Sequence, residues 1–137
     1  MRAARNRGED VIRNPLNMLD IVIYEEDYLM RTLLQEWLSE AGYRVRLGAL
    51  RDVRRGCPAD LVIVSVYMPK QAGLQWVRDI QAAHPGTPLI AISGQFRSGL
   101  SDAGATARTL GVQQVIAKPL MRRDLLEAVR GMIGTPA

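Results

Sequence analysis

From Leu19 onward the chain switches repeatedly between two hydrophobic periods. LDIVIY (19–24) is a continuous apolar run, followed by the acidic EED. YLMRTLLQEWLSEAG (28–42) then adopts helical spacing, with Leu29, Leu33, Leu34, Trp37 and Leu38 expected on one face and Gly42 closing the helix. YRVRLGAL (43–50) reads as a second strand, RDVRRG as a one-turn helix and DLVIVSV (60–66) as a third strand. GLQWVRDIQAAH (73–84) sets Leu74, Val77, Ile80 and Gln81 at helical spacing and is stopped by Pro85. PLIAIS (88–93) is a fourth strand, GQFRSGLSDAG (94–104) a loop and ATARTLG (105–111) a short helix. VQQVIA (112–117) gives the fifth strand, and MRRDLLEAVRGMI (121–133) the last helix, with Leu125, Val129 and Met132 facing inward.

Strands that are apolar at nearly every position need cover on both faces, as in a parallel sheet flanked by helices. The pattern therefore predicts an open doubly wound α/β domain over residues 18–134, with a short tail at 135–137. Residues 1–17, MRAARNRGEDVIRNPLN, lack either period and read as a disordered basic leader.

Composition narrows the setting. At 137 residues one core is expected, and the single cysteine, Cys57, allows no internal disulfide, which fits a reducing cytoplasm. No apolar run is long enough to span a bilayer, and none follows the basic N terminus as a secretory signal requires. The net charge is +4, but Arg2, Arg5, Arg7 and Arg13 in the leader supply much of it. The remaining domain is weakly basic, so nucleic-acid binding, which needs clustered phosphate contacts, is not expected.

In a doubly wound sheet, ligands bind outside the carboxyl ends of the strands. Those ends carry Glu25, Glu26 and Asp27 after strand one, Ser65 in strand three, Ser93 in strand four and Lys118-Pro119 after strand five. His84 and Cys57 fall toward the other edge, so a Ser-His or Cys-His nucleophile is not expected. No glycine-rich phosphate loop follows strand one, which argues against a nucleotide-binding enzyme. Each residue also has a purely structural reading. Asp27 caps a helix, Glu26 sits at its positive end, the serines terminate strands, and Lys118 is a surface charge.

LDIVIYEEDYLMRTLLQEWLSEAGYRV, DLVIVSVYMPKQAGLQWVRDI, PLIAISG and VIAKPL, in this order, resemble the receiver domain of two-component response regulators over about residues 18–134. The resemblance implies a flavodoxin-like, five-stranded parallel sheet of order 2-1-3-4-5. It assigns Mg²⁺ to Glu25, Glu26 and the Tyr67 backbone carbonyl. It puts Ser65 where the family carries its phosphoacceptor aspartate. Ser93 matches the hydroxyl that follows the phosphoryl group and Lys118, next to Pro119, the lysine that steadies it, while Val115 replaces the usual switch aromatic. The 94–104 loop is longer than the family's, and the stretch between strands two and three about a helical turn shorter.

A neutral hydroxyl is a poor magnesium ligand, and without a base it is a poor nucleophile. The resemblance thus leads us to expect a stand-alone cytoplasmic receiver that is not an enzyme and works as a phosphorylation-independent interaction module. Mg²⁺ is expected to bind weakly or not at all, with Lys118 in its space. The implied partner is a histidine kinase, phosphotransfer or output protein on the face of the fourth helix, fifth strand and fifth helix, which also offers a homodimer contact. Two alternatives stay open: a receiver phosphorylated on Ser65 or a neighbouring acid with Mg²⁺, and a scaffold whose arginine-rich leader binds nucleic acid.

Overall fold

A computed structural model of the chain describes residues 18–48, 59–66, 70–93, 107–108 and 111–136. The leader, the short helix expected after strand two, Cys57, Tyr67, the 94–104 loop and most of the 105–111 helix lie outside the described residues. Within them are β1 (Asp20–Tyr24), α1 (Tyr28–Glu40), β2 (Arg44–Leu47), β3 (Leu61–Val66), α2 (Lys70–Ala83), β4 (Leu89–Ser93), β5 (Gln114–Ala117) and α3 (Arg122–Ile133). All four ladders are parallel, and the strand order is β2-β1-β3-β4-β5, as expected.

The unbroken apolar strands split by the two-residue period of a pleated strand into two cores. Ile21, Ile23, Leu61, Ile63, Ile90 and Ile92 face Leu34 and Leu38 of α1 and Leu125, Leu126 and Val129 of α3. Val22, Tyr24, Val62, Val64, Val66, Leu89 and Ala91 face Val77 and Ile80 of α2. Most of these side chains are fully buried, each worth roughly 1.5–3 kcal/mol over its exposed form. A polar residue at Ile63 or Ile90 would therefore break the sheet's contact with α1 and α3.

The structure corrects one face assignment. In α1, Leu34 and Leu38 are buried and Met30, Trp37 and Ala41 pack against them, whereas Leu29 and Leu33 are exposed at 70% and 39%. The inward stripe is 30-34-37-38-41, an i, i+4, i+7, i+8, i+11 row, and Leu29 and Leu33 lie off it by about one helical step of ~100°. Gly42, at φ +99°, ends this helix as expected. Its N–H donates to the Ser39 carbonyl and the Tyr43 N–H to that of Leu38, the paired closure of a Schellman motif. α2 begins at Lys70, three residues before the expected start, and β2 and β5 are shorter than their apolar patterns.

The edge where the strands begin is closed by charge. Asp20, 2% exposed, takes Arg44 Nε at 2.6 Å and Nη2 at 3.3 Å. The Asp20 N–H donates to Asp60 Oδ2 and the Asp60 N–H to the Asp20 carbonyl, both at 2.8 Å. This bracket pins the starts of β1 and β3 together, leaving the chemistry at the other edge.

Candidate functional site

The parallel register brings the expected residues to one edge. Tyr24 pairs with Val64, Val66 with Ser93 and Ser93 with Ala117, so the residues just beyond these pairs emerge side by side. Glu25 and Asp27 follow β1, Ser65 is the penultimate residue of β3, Ser93 ends β4 and Lys118 follows β5. The Lys118 N–H donates to the Ser93 carbonyl at 3.1 Å, extending the ladder into the corner where the Lys118–Pro119 bond is cis. Tyr67, the expected carbonyl ligand, lies outside the described residues.

Glu25 and Ser65 are buried, each 4% exposed, and the Ser65 hydroxyl donates to Glu25 Oε1. The other carboxylate oxygen, Oε2, accepts the Asp27 N–H at 2.9 Å. Both bonds satisfy acceptor positions that burial takes away from water, and a typical bond of this kind contributes about 0.5–1.5 kcal/mol. Asp27 occupies the N-cap position of α1, yet its side chain makes no capping bond; its backbone serves Glu25 instead. Glu26 points to solvent.

Ser65 shares its side of the sheet with Ile63 and Ile92, whereas Ser93 aligns with Val66 and Ala91. The two buried hydroxyls thus reach the edge from opposite faces. Val115, 6% exposed, belongs to the core on the α2 side, packed with Ala107 and Val112.

Among the described residues the donors are a poor match for magnesium. Mg²⁺ requires near-octahedral oxygen coordination and is held through one or two carboxylates plus waters. Here one carboxylate has both oxygens in protein hydrogen bonds, the second is at the surface, and the third group is a neutral hydroxyl. Among the described residues no three His, Cys, Asp or Glu side chains gather as a metal site.

One neighbouring feature escaped the sequence reading. The Tyr24 ring turns under the sheet and stacks edge-on with Trp76 and His84, and its hydroxyl lies 2.7 Å from His84 Nε2. His84 is 3% exposed, so this bond sits in the core on the α2 side of the sheet. A Cβ at Gly48 would come within 2.4 Å of the same ring, so glycine is needed there for close approach. The only signal was parity: Tyr24 falls on the same side of β1 as Val22.

Comparison with known proteins agrees with this architecture. Residues 21–130 match the response regulator receiver domain family. Over 129 residues the chain is 34% identical to protein-glutamate methylesterase/protein-glutamine glutaminase 2 of Burkholderia thailandensis, an overlap of 83% of this chain and 36% of that protein. It is 30% identical over 132 residues to the regulatory protein VirG of Agrobacterium tumefaciens, covering 93% of this chain and 48% of that one. The chain thus spans about a third to a half of these curated relatives. Among solved structures, a CheY-like receiver domain protein from Methanospirillum hungatei superposes with a TM-score of 0.67 at 21% identity, covering 85% of this chain and 94% of that one. The chemotaxis protein CheY4 of Vibrio cholerae gives 0.66 at 19%, covering 84% and 98%. With the matched sequence running from β1 through most of α3 and the strand order that of these neighbours, the chain belongs to the response regulator receiver domains of two-component signalling.

Proposed function

We propose that this receiver works without aspartyl phosphorylation, as a protein-interaction module within a two-component pathway. The carrying observation is the hydrogen bond from Ser65 to Glu25, with the Asp27 N–H on the other oxygen of the same carboxylate. In this reading Ser65 stands at the acceptor position, and the acid that would hold a metal is held by the protein. The pocket then keeps one arrangement with no dication, and Lys118 offsets the remaining negative charge. No catalytic role is assigned to the domain. Its output comes through docking of a kinase, phosphotransfer or output protein on the surface around β5 and α3, which the family likeness favours and where Met121 is 59% exposed. A homodimer through the same surface belongs to this reading as well. Mg²⁺ is weak or absent from it.

The test is intact mass after incubation with a small phosphodonor and Mg²⁺, with Ser65→Asp alongside. Gain of one phosphate by the variant alone supports the proposal. Gain by the natural chain overturns it.

One observation favours a second reading. A serine hydroxyl bonded to a buried carboxylate has a base in place, the arrangement a serine nucleophile needs. In that case the Ser65 oxygen forms the bond to phosphorus, Glu25 takes its proton, and the donor's leaving group departs. A phosphate ester on Ser65 resists hydroxylamine, whereas an acyl phosphate on Glu26 or Asp27 does not.

A further inference from the structure

One row of α1 carries apolar side chains into solvent. Leu29 and Leu33 are exposed at 70% and 39%, and Tyr28 beside them at 68%. Leu29, Leu33 and Glu36 stand at i, i+4 and i+7, so they share one face along the helix. Glu36 is exposed, and so are Glu26 and Asp27 just ahead of the helix. From the Ser65 edge downward the row therefore runs acidic, apolar, apolar, acidic. Its neighbours have other engagements. Glu40 takes Arg122 at 3.5 Å, and the Arg31 guanidinium lies 5.7 Å from the Tyr28 ring centre, on the flank away from Leu29.

Residues 1–17, MRAARNRGEDVIRNPLN, hold the complementary order. α1 runs back from the Ser65 edge to the edge where β1 begins, because Gly42 and Tyr43 lead from it into the parallel strand β2. The leader joins the domain at that same edge, through Met18. Counting back from Met18 come Arg13, the apolar pair Ile12 and Val11, and then Arg7 and Arg5. Going up α1 come Glu36, Leu33 and Leu29, and then Asp27 and Glu26. Extended chain gains about 3.3 Å per residue, so Arg13 to Arg7 spans about 20 Å. The helix needs only about 14 Å from Glu36 to Asp27, at about 1.5 Å per residue, which leaves slack at Gly8. Residues 14–17 add about 13 Å for the step from the sheet to the helix. Four arginines against Glu9 and Asp10 leave the segment net positive, opposite in sign to the acids of the row.

We infer that residues 1–17 fold back along α1 as a strap, with Val11 and Ile12 on Leu29 and Leu33, Arg13 at Glu36, and Arg5 and Arg7 at Asp27 and Glu26. Surface ion pairs are individually weak and screened by salt. A tether raises the local concentration of the strap to the millimolar range, so a weak contact suffices to close it. The arginines are thereby used within the chain and not on nucleic acid. Closed, the strap covers the apolar row beside the pocket, and any protein that takes this row must displace it first, which makes the contact self-inhibitory. This inference is independent of how Ser65 is read.

The test is paramagnetic broadening in the full ¹⁵N-labelled chain, with a nitroxide at Val11→Cys in a Cys57→Ser background. At low salt the Leu29, Leu33 and Glu36 amide signals are expected to lose most of their height and to regain it when the nitroxide is reduced. The signal of Asp79 in α2, on the opposite face of the sheet, stays unchanged. Glu36→Lys with Leu33→Ser, both at exposed positions, abolishes the broadening. Arg13→Glu weakens it, and Glu36→Arg in the same chain restores it. When nitroxide-bearing ¹⁴N chains are mixed with nitroxide-free ¹⁵N chains, no broadening is expected. Broadening in that mixture means that the leader docks on a second copy, and unbroadened α1 signals in the single chain mean that it does not reach this row; either result overturns the inference.

Discussion

The Ser65 hydroxyl donates to Glu25, so in the proposed reading the acceptor position and the acid beside it are joined by a hydrogen bond instead of opposed as like charges. Ser65→Asp replaces that bond with two facing carboxylates, which repel by a few kcal/mol at ~4 Å and an effective dielectric of ~20. We expect the variant to melt several degrees lower in metal-free buffer and to recover most of the loss in millimolar Mg²⁺. The natural chain should not respond to Mg²⁺. Ser65→Ala leaves a buried carboxylate oxygen short of a donor, costing about 1–3 kcal/mol, and Mg²⁺ does not restore it. Thermal melts of the three proteins with and without Mg²⁺ check all of this, and a clear rise for the natural chain would count against the proposed function.

Tyr24 makes the core on the α2 side intolerant of two small changes. Tyr24→Phe keeps the ring but removes the hydroxyl from His84 Nε2, leaving a buried ring nitrogen short of a partner at a cost of about 1–2 kcal/mol. Gly48→Ala forces a methyl to within 2.4 Å of the ring and is expected to cost about 1–3 kcal/mol by overpacking. The two effects have different causes, so Tyr24→Phe does not relieve Gly48→Ala, whereas Tyr24→Val does. A denaturant-melt double-mutant cycle tests this; additive Gly48→Ala and Tyr24→Val losses would refute the contact.

At the other edge, Arg44 and Asp20 are unequal partners. Arg44 is 42% exposed and Asp20 2%. The hydrogen bond and charge of Asp20 raise the Arg44 pKa further above its already high value. Removing Arg44 strands a buried carboxylate, while removing the carboxylate leaves a guanidinium that can turn to water. Arg44→Met is therefore expected to cost more than Asp20→Asn, because unpaired buried charge is the larger penalty. Equilibrium urea unfolding of both variants measures the difference.

The fold was legible because its information is local and periodic. Continuous apolar strands reported a sheet covered on both sides, and Gly42 and Pro85 marked helix ends. The edge bearing Glu25, Ser65, Ser93 and Lys118 followed from topology alone, since parallel strands deliver their C-terminal residues together. What the sequence concealed were long-range pairings without a period. Asp20 with Asp60 spans 40 residues and Tyr24 with His84 spans 60, and nothing in either stretch names its partner. Asp27 takes the N-cap position that residue type suggests, but that its backbone N–H turns toward Glu25 while its side chain makes no capping bond cannot be read from residue type. In α1 the leucines are so dense that two stripes fit the helical period, and only packing chose the one through Leu34 and Leu38.

Tyr43 gives the domain a defined alkaline limit. Its side chain is buried beside α1, and its hydroxyl donates to the Gly134 carbonyl at 2.6 Å, tying the end of α3 to the start of β2. Burial raises its pKa above the usual value of 10, and the nearby Arg130 charge pulls back against that shift. A pKa higher in the folded than in the unfolded chain means that the folded state favours the protonated phenol. Its contribution is fully present below the unfolded value and is lost as pH rises through the folded one. Tyr43→Phe is thus expected to cost about 1 kcal/mol at pH 7 by losing the hydrogen bond. Above about pH 10 the natural chain loses stability faster than the variant, so their melting curves converge. Arg130→Gln removes the opposing charge, raising the folded pKa and steepening the natural loss. Thermal melts from neutral to strongly alkaline pH follow the convergence directly, and parallel curves for the natural chain and Tyr43→Phe would show that the phenol is not held in this way.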